Sequence, residues 1–288
     1  LGSSGDTVTV SSLDDKRYYM VLGDISATGG DTVSHVRANS DSGANYVVRT
    51  NINKGSDSQS TGTNRLFTTH DSKSSDSRFI LGYIANKSDK EKLWINNQIY
   101  QNTAGAGTAP GRQEQTCKWA NTSDVINEIR LNTSAGTYDS GSELVVLGYD
   151  PDDTHTSNFW EELADVTTGS TGALSSGTFT AKKYLWIQAY TPSSSNASPD
   201  GYVEFNADSG SNYAHRRSHN GGSDTTGTSD GVGIRIDGSG GQTAKFHNMF
   251  IVNNSANEKL VICNSITQQT AGAGNIPTRT ESVGKWVN

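Results

Sequence analysis

Shifted by 167 residues, the second half of this chain lies on the first: residues 35–121 fall on 202–288 without a gap, and 36 of these 87 positions are identical. Self-similarity of that extent at one fixed offset marks a duplicated structural unit. Side chains of a strand alternate between faces, so an ungapped register preserves the inward and outward set of every strand, and both copies must share one fold. Upstream, Lys16 and Tyr18 meet Lys182 and Tyr184 at an offset of 166, which places a single-residue length change in the loop between.

The fold class follows from what repeats. Aliphatic residues are sparse and Ser, Thr, Asn and Gly abundant, a composition suited to short strands joined by long polar loops. Segments 92–101, 125–131, 143–149 and 184–190 are β-rich runs, separated by turn formers such as Asp41-Ser42-Gly43 and residues 103–107. The expectation is an all-β protein of two tandem antiparallel β-sandwich domains, jelly-roll-like, over 1–150 and 175–288. Residues 151–174 read as the connector. It opens on the acidic turn Asp150-Pro151-Asp152-Asp153, carries a short helix over 158–166 with Asn158 and Glu161 at capping-box spacing, and closes through a Thr/Gly/Ser run at 167–172. The apolar pairs Phe79/Phe246, Ile84/Ile251, Leu93/Leu260, Ile95/Ile262, Ile99/Ile266 and Trp119/Trp286 recur, and most are expected in the cores of both copies.

Charge and cysteine use narrow the function. A net charge of −7 with scattered basic residues makes nucleic acid a poor partner. No run reaches the length of a membrane span. Cys117 aligns with Gly284 and Cys263 with Asn96, so neither has a partner in its own copy and a disulfide is not expected. No signal peptide is seen at Leu1, and the missing initiator Met suggests a processed or incomplete N-terminus.

The duplication also tests for catalysis, because an inherited site should recur. His35, His70, His215, His219 and His247 each align with another residue type, and His155 lies in the connector. The carboxylates that recur are Asp41/Asp208, Asp57/Asp224, Glu91/Glu258 and Glu114/Glu281, all beside turn formers or strand ends. His215 and His219 would share a strand face but stand too far apart to chelate one ion easily. The element Asn39-x-Asp41-Ser42-Gly43-x-Asn45-Tyr46, repeated from Asn206 to Tyr213, could offer oxygens to calcium. A hairpin turn with glycine at positive φ explains it more cheaply. No catalytic, cofactor-binding or metal residue is therefore assigned. Sequons stand at Asn86, Asn121, Asn132, Asn196 and Asn253, a number that composition alone would produce.

The pattern Phe205-Asn206-x-Asp208-Ser209-Gly210-x-Asn212-Tyr213, the alternating strand ending at Asn253–Ser255, and in copy one Lys118–Ser123, Ile126-x-x-Ile129-x-Leu131 and Gly141–Gly148 resemble a β-sandwich repeat of virion structural proteins from tailed phages and uncultivated aquatic viruses. The resemblance implies a non-enzymatic building block of an external fibre or appendage, and it brings no catalytic or ligand residue.

Segment 122–150 has no counterpart after Asn288, so copy two is expected to present an open edge. Either the natural chain continues, or a neighbouring subunit donates strands, with residues 6–13 and their alternating Thr7–Val10 as donor candidate. Both routes make copies of the chain itself the expected partner, joined head to tail in an extracellular or virion-surface filament. The rival reading is a carbohydrate-binding module using Trp94, Tyr100 or Trp160 as platform. Trp94 and Tyr100 align with Val261 and Thr267, so such a platform would exist in one copy only.

Overall fold

A computed structural model describes residues 1–28, 34–68, 77–151, 153, 159–167, 172–191, 201–237, 244–268 and 276–288, and among these every regular element is a β-strand. The first repeat supplies β1 (Thr7–Ser11), β2 (Tyr18–Ile25), β3 (Ala27–Thr28), β4 (Ser34–Ala38), β5 (Tyr46–Ile52), β6 (Ser58–Thr63), β7 (Phe67–Thr68), β8 (Arg78–Ala85), β9 (Lys92–Tyr100), β10 (Gly111–Trp119), β11 (Glu128–Thr133), β12 (Thr137–Tyr138) and β13 (Glu143–Tyr149). The second supplies β14 (Tyr184–Thr191), β15 (Tyr202–Val203), β16 (Tyr213–His219), β17 (Thr225–Asp230), β18 (Ile234–Arg235), β19 (Lys245–Val252), β20 (Lys259–Thr267) and β21 (Thr278–Trp286).

All pairings are antiparallel. The first repeat has a seven-stranded sheet, β13-β2-β8-β9-β10-β5-β6, and a four-stranded sheet, β1-β11-β4-β7. The second has β14-β19-β20-β21-β16-β17 and the pair β15-β18. Strand for strand, the six-stranded sheet reproduces β2-β8-β9-β10-β5-β6, and the register is kept: Ile84 opposite Trp94 becomes Ile251 opposite Val261, and Trp119 opposite Tyr46 becomes Trp286 opposite Tyr213.

Alternation then builds the cores. Tyr19, Val21, Ile80, Ile84, Trp94 and Trp119 of the large sheet meet Val8, Val36, Ile129 and Leu131 of the small one in a single buried cluster. In the second repeat Met249, Ile251, Val261, Cys263 and Trp286 meet Ile234 and Ile236. The repeats fill one spot in opposite ways. Trp94 lies so close over Gly82 that a Cβ there would come within 2.6 Å of the indole nitrogen, whereas the second repeat puts the bulk on the other strand, with Met249 beside the smaller Val261.

Among the described residues, β1, β11 and β13 have no counterparts in the second repeat, which leaves β14 at the edge of its sheet and β15 paired with β18 alone. The lost cover is visible in the side chains. Tyr19, Val21, Val36 and Ala38 are buried, while their equivalents Leu185, Ile187, Val203 and Phe205 are only half-buried. The expected donor strand is engaged at home: Thr7–Ser11 pairs with Glu128–Asn132 in the same chain, with Val8 buried, and would have to leave that partner to serve another molecule.

The connector differs from expectation. Residue 158 lies outside the described residues, and 159–166 form no helix. A nine-residue segment gains little from helix formation alone. Here Trp160 instead packs against Trp186 and Phe250 at ring distances of 5.7 and 6.3 Å, over that sheet.

Candidate functional site

The outward faces of the two large sheets carry the unexpected chemistry. Four of the apolar residues expected in a core, Leu93, Ile95, Phe246 and Ile266, are exposed, at 56%, 57%, 40% and 54% of their surface. Strand alternation explains the error. Trp94 and Ile84 point inward, so Phe79, Leu93, Ile95 and Ile99 point outward, and so do Phe246, Leu260, Ile262 and Ile266. Recurrence preserves both faces of a strand, so it does not by itself separate the core face from the outer one.

Half of each face is covered by the other repeat. Leu22, Phe79, Leu81 and Ile99 of the first repeat form one buried cluster with Phe250, Val252, Leu260, Ile262 and Val283 of the second, with Trp160 and Tyr184 packed at its margin. The contact is heterologous. Phe79 and Ile99 are used in one repeat, whereas in the other their equivalents Phe246 and Ile266 are left out and the opposite half, Leu260 and Ile262, is used.

Polar groups frame this cluster on both sides. Arg112 on β10, almost wholly buried, grips Asp224 through two bonds of 3.0 and 3.2 Å, and reaches Glu114 at 2.8 Å and Glu281 at 3.4 Å. Lys54 bridges Glu281 and Glu114 at 3.1 and 3.6 Å, and Arg216 adds a contact of 3.5 Å to Asp224. Three cations thus meet three carboxylates, the balance that burial of charge requires. Burial, reinforced by neighbouring Glu281 against the pull of Arg112 and Lys54, pushes the Glu114 carboxyl up. Burial acts the same way on Glu281, but Lys54, Arg112 and Arg279 outweigh it and hold that carboxyl below its usual range.

Next to them the turn after β9 is clamped into the second repeat. Lys285, fully buried, donates to the carbonyls of Gln101 (3.1 Å) and Thr103, and lies 3.6 Å from Glu258. Glu258 accepts the Gly105 amide at 2.6 Å, the Ser229 amide donates to Ala106 O at 2.6 Å, and Arg216 Nε donates to Pro110 O at 2.8 Å. At the far margin Lys183 pairs with Glu143 (2.8 Å) and Asp24 (3.1 Å), and the Tyr184 hydroxyl donates to Glu143 at 3.0 Å.

No known protein family, curated protein or solved structure matches the chain. Its function is read from its own geometry.

Three of the four recurring carboxylates, Asp224, Glu258 and Glu281, belong to this contact, as do the recurring cations Arg112 and Lys285. The fourth pair is structural. Trp119 Nε1 donates to Asp41 at 2.7 Å and Trp286 Nε1 to Asp208 at 2.6 Å, the Gly43 and Gly210 amides and Asn45 and Asn212 donate to the same carboxylates, and the Tyr rings of the motif stack on the indoles at 6.3 and 6.4 Å. The Asp41 and Asp208 carboxylate oxygens are the acceptors of these donors. Positive φ falls on Asn39 and Ser40, and on Asn206 and Ala207, not on the glycines. A Cβ at 43 or 210 would come within 2.7 Å of the neighbouring Asn amide nitrogen, so a side chain there would push that amide off the carboxylate.

Other expected candidates are dispersed. His215 and His219 share β16, the former buried with its imidazole pushed down to about 4 by loss of solvation. His70, His155 and Asn196 lie outside the described residues. Ser265 Oγ lies 2.7 Å from His247 Nδ1, a nucleophile-and-base spacing, but both side chains are buried and the hydroxyl donates to Ile236 O at 2.6 Å. Cys117 and Cys263 are free and buried, their thiols pushed up to about 12 by burial. Trp94 and Tyr100 are buried, and Trp160 is half-covered, so these three do not form the open aromatic platform expected of a glycan site. Asn86 is also internal: its amide nitrogen donates to Lys16 O and the Tyr19 hydroxyl, and its oxygen accepts from the Ile126 amide.

Proposed function

We propose that this chain is a non-enzymatic structural subunit, two tandem β-sandwiches whose business is to bind units like themselves in an extracellular fibre or virion appendage. The observation that carries this reading is the contact between the repeats. It commits an apolar half-face, one buried and two half-buried carboxylates and their cations to joining one copy of a fold to the next. Tandem units joined through rigid, specific faces give stiff rods, and the charge pairs set the register in which neighbours can sit. The resemblance of its repeat to virion structural proteins points the same way.

Purified protein examined by electron microscopy and by sedimentation over a wide concentration range tests the proposal. Ordered fibres, or concentration-dependent growth, support it. A species that stays monomeric at every concentration while binding a defined glycan on an array overturns it in favour of a carbohydrate-binding module. Exposed Trp186 and Tyr190 are the aromatic side chains such a module would use.

A further inference from the structure

Each repeat carries a recurring set of residues from both halves of the contact that joins them, and apart from the pair Glu114 and Glu281 the chain uses each of these from one repeat only. The first repeat contributes Phe79, Ile99 and Arg112, and the second contributes Leu260, Ile262, Asp224, Lys285 and Glu258. The unused halves remain at the surface. On the second repeat these are Phe246, Ile266 and Arg279, the equivalents of Phe79, Ile99 and Arg112. On the first they are Leu93, Ile95, Asp57, Lys118 and Glu91, the equivalents of Leu260, Ile262, Asp224, Lys285 and Glu258. Every one of these eight correspondences is an identity.

The same residues behave differently in the two settings. Lys285 is fully buried, donating to backbone carbonyls of the neighbouring repeat, whereas Lys118 pairs with Glu91 at 2.9 Å with both side chains 40% exposed. Arg112 is buried against Asp224, whereas Arg279 is open and bonds Glu281 in its own strand. Isoleucine and leucine held on an outward strand face, beside a Lys–Glu pair with no neighbouring repeat to cover it, describe an interface without its occupant.

We infer that the occupant is a second copy of this chain. Its second repeat sets Phe246, Ile266 and Arg279 on Leu93, Ile95 and Asp57 of the first repeat of its neighbour, reproducing between molecules the contact that joins the repeats within one. This inference deepens the reading of the chain as a self-assembling subunit and rests on it. The junction lies on the sheet faces, not on the open strand edge of the second repeat. The contact is heterologous, so each added copy presents a fresh half-face, and growth continues until it closes on itself or not at all. The junction between molecules is looser than the internal one: Gln188 and Asn248 stand where the first repeat has Leu22 and Leu81, Tyr83, Ala85 and Thr116 stand where the second has Phe250, Val252 and Val283, and Gly221 stands in place of Lys54.

The test uses two variants at exposed positions, Ile95→Glu and Ile266→Glu, whose folding is checked by circular dichroism and urea melts. A carboxylate left unpaired in the junction should weaken association by about 100-fold or more. Each variant alone should then sediment as a monomer at concentrations where the unaltered chain elongates. Mixed in equal amounts they should form a species of twice the mass and stop there, because the intact second repeat of one fits the intact first repeat of the other. Arg279→Asp should likewise block growth, and a partner carrying Asp57→Arg should restore it. Elongation by either single variant, or a mixture that stays monomeric while the unaltered chain grows, would overturn these surfaces and leave self-assembly standing. An unaltered chain that never associates would overturn both.

Discussion

The two arginines at equivalent positions offer an internal control on the contact between the repeats. Arg112→Ala removes the two bonds to Asp224, whose side chain is about as buried as that of Arg112, leaves that carboxylate only Arg216 at 3.5 Å, and leaves Glu281 and Glu114 to share Lys54. Removing one partner from a buried ion pair costs about 3–5 kcal/mol, most of it from the charge left behind without solvent. Arg279→Ala makes the same chemical change on the same strand position of the other repeat, where the guanidinium is 60% exposed and bonds Glu281 alone. A surface site of that kind is expected to stay within about 0.5 kcal/mol. Urea unfolding followed by tryptophan fluorescence, at protein concentrations low enough to keep molecules apart, reads both. With an m-value of about 3 kcal/mol per molar, Arg112→Ala should lower the midpoint by about 1 M or more and Arg279→Ala by less than about 0.2 M. Equal shifts for the two variants, or a loss at Arg112 below about 0.5 kcal/mol, would refute the claim that the repeats are locked by this charge cluster.

Two further outcomes are expected. Burial lowers His215 to about 4 against an ordinary value near 6.5, so the unfolded chain takes up a proton that the folded chain refuses across that window; stability should fall by up to about 3 kcal/mol as pH drops from 6.5 to 4, and His215→Val, the residue found at the equivalent Val48, should flatten that part of the pH profile. Trp286→Ala should cost about 3–5 kcal/mol in thermal or urea unfolding, since it empties the second core and strips Asp208 of its indole donor; a loss under about 1 kcal/mol would contradict the anchoring role.

The repeat, the all-β class and the likeness of the two copies were legible in the sequence because an ungapped register carries strand faces with it, whereas the strand order comes from the fold alone. Assigning those faces was harder. In segment 92–99 both alternating sets hold apolar residues, Trp94 on one side and Leu93, Ile95 and Ile99 on the other, and a single strand read alone does not say which side meets its own core. The signal was present nonetheless. Apolar residues in opposite phases of one strand mean that both faces of the sheet are covered somewhere, and recurring Arg, Lys and Glu on the outward phase say that the second cover is specific. The connector was misread for a different reason: capping-box spacing describes what a helix end prefers and is silent on the stacked Trp186 and Phe250 rings that draw Trp160 down onto the sheet. The Asp41 motif was legible as a turn, but its role as a cap on a tryptophan 78 residues away was not, because the chain positions are far apart and only the fold unites them.

The bridging amide of Asn86 has a consequence for where this chain can be made. N-linked sugar is attached to the side-chain nitrogen and leaves it one hydrogen, whereas Asn86 uses two, one for Lys16 O and one for the Tyr19 hydroxyl, inside a closed pocket of backbone. A host that glycosylates nascent chains would meet the sequon before the strands close around it, and an oligosaccharide fixed there would hold β2 and β8 away from the segment that carries Ile126. Its counterpart Asn253 gives a single bond, to Lys182 O, and would tolerate the same modification with one hydrogen to spare. Yield of folded protein should therefore separate hosts by their glycosylation machinery, and replacing Ser88 of the first sequon by Ala should erase that difference while leaving the three bonds of Asn86 in place.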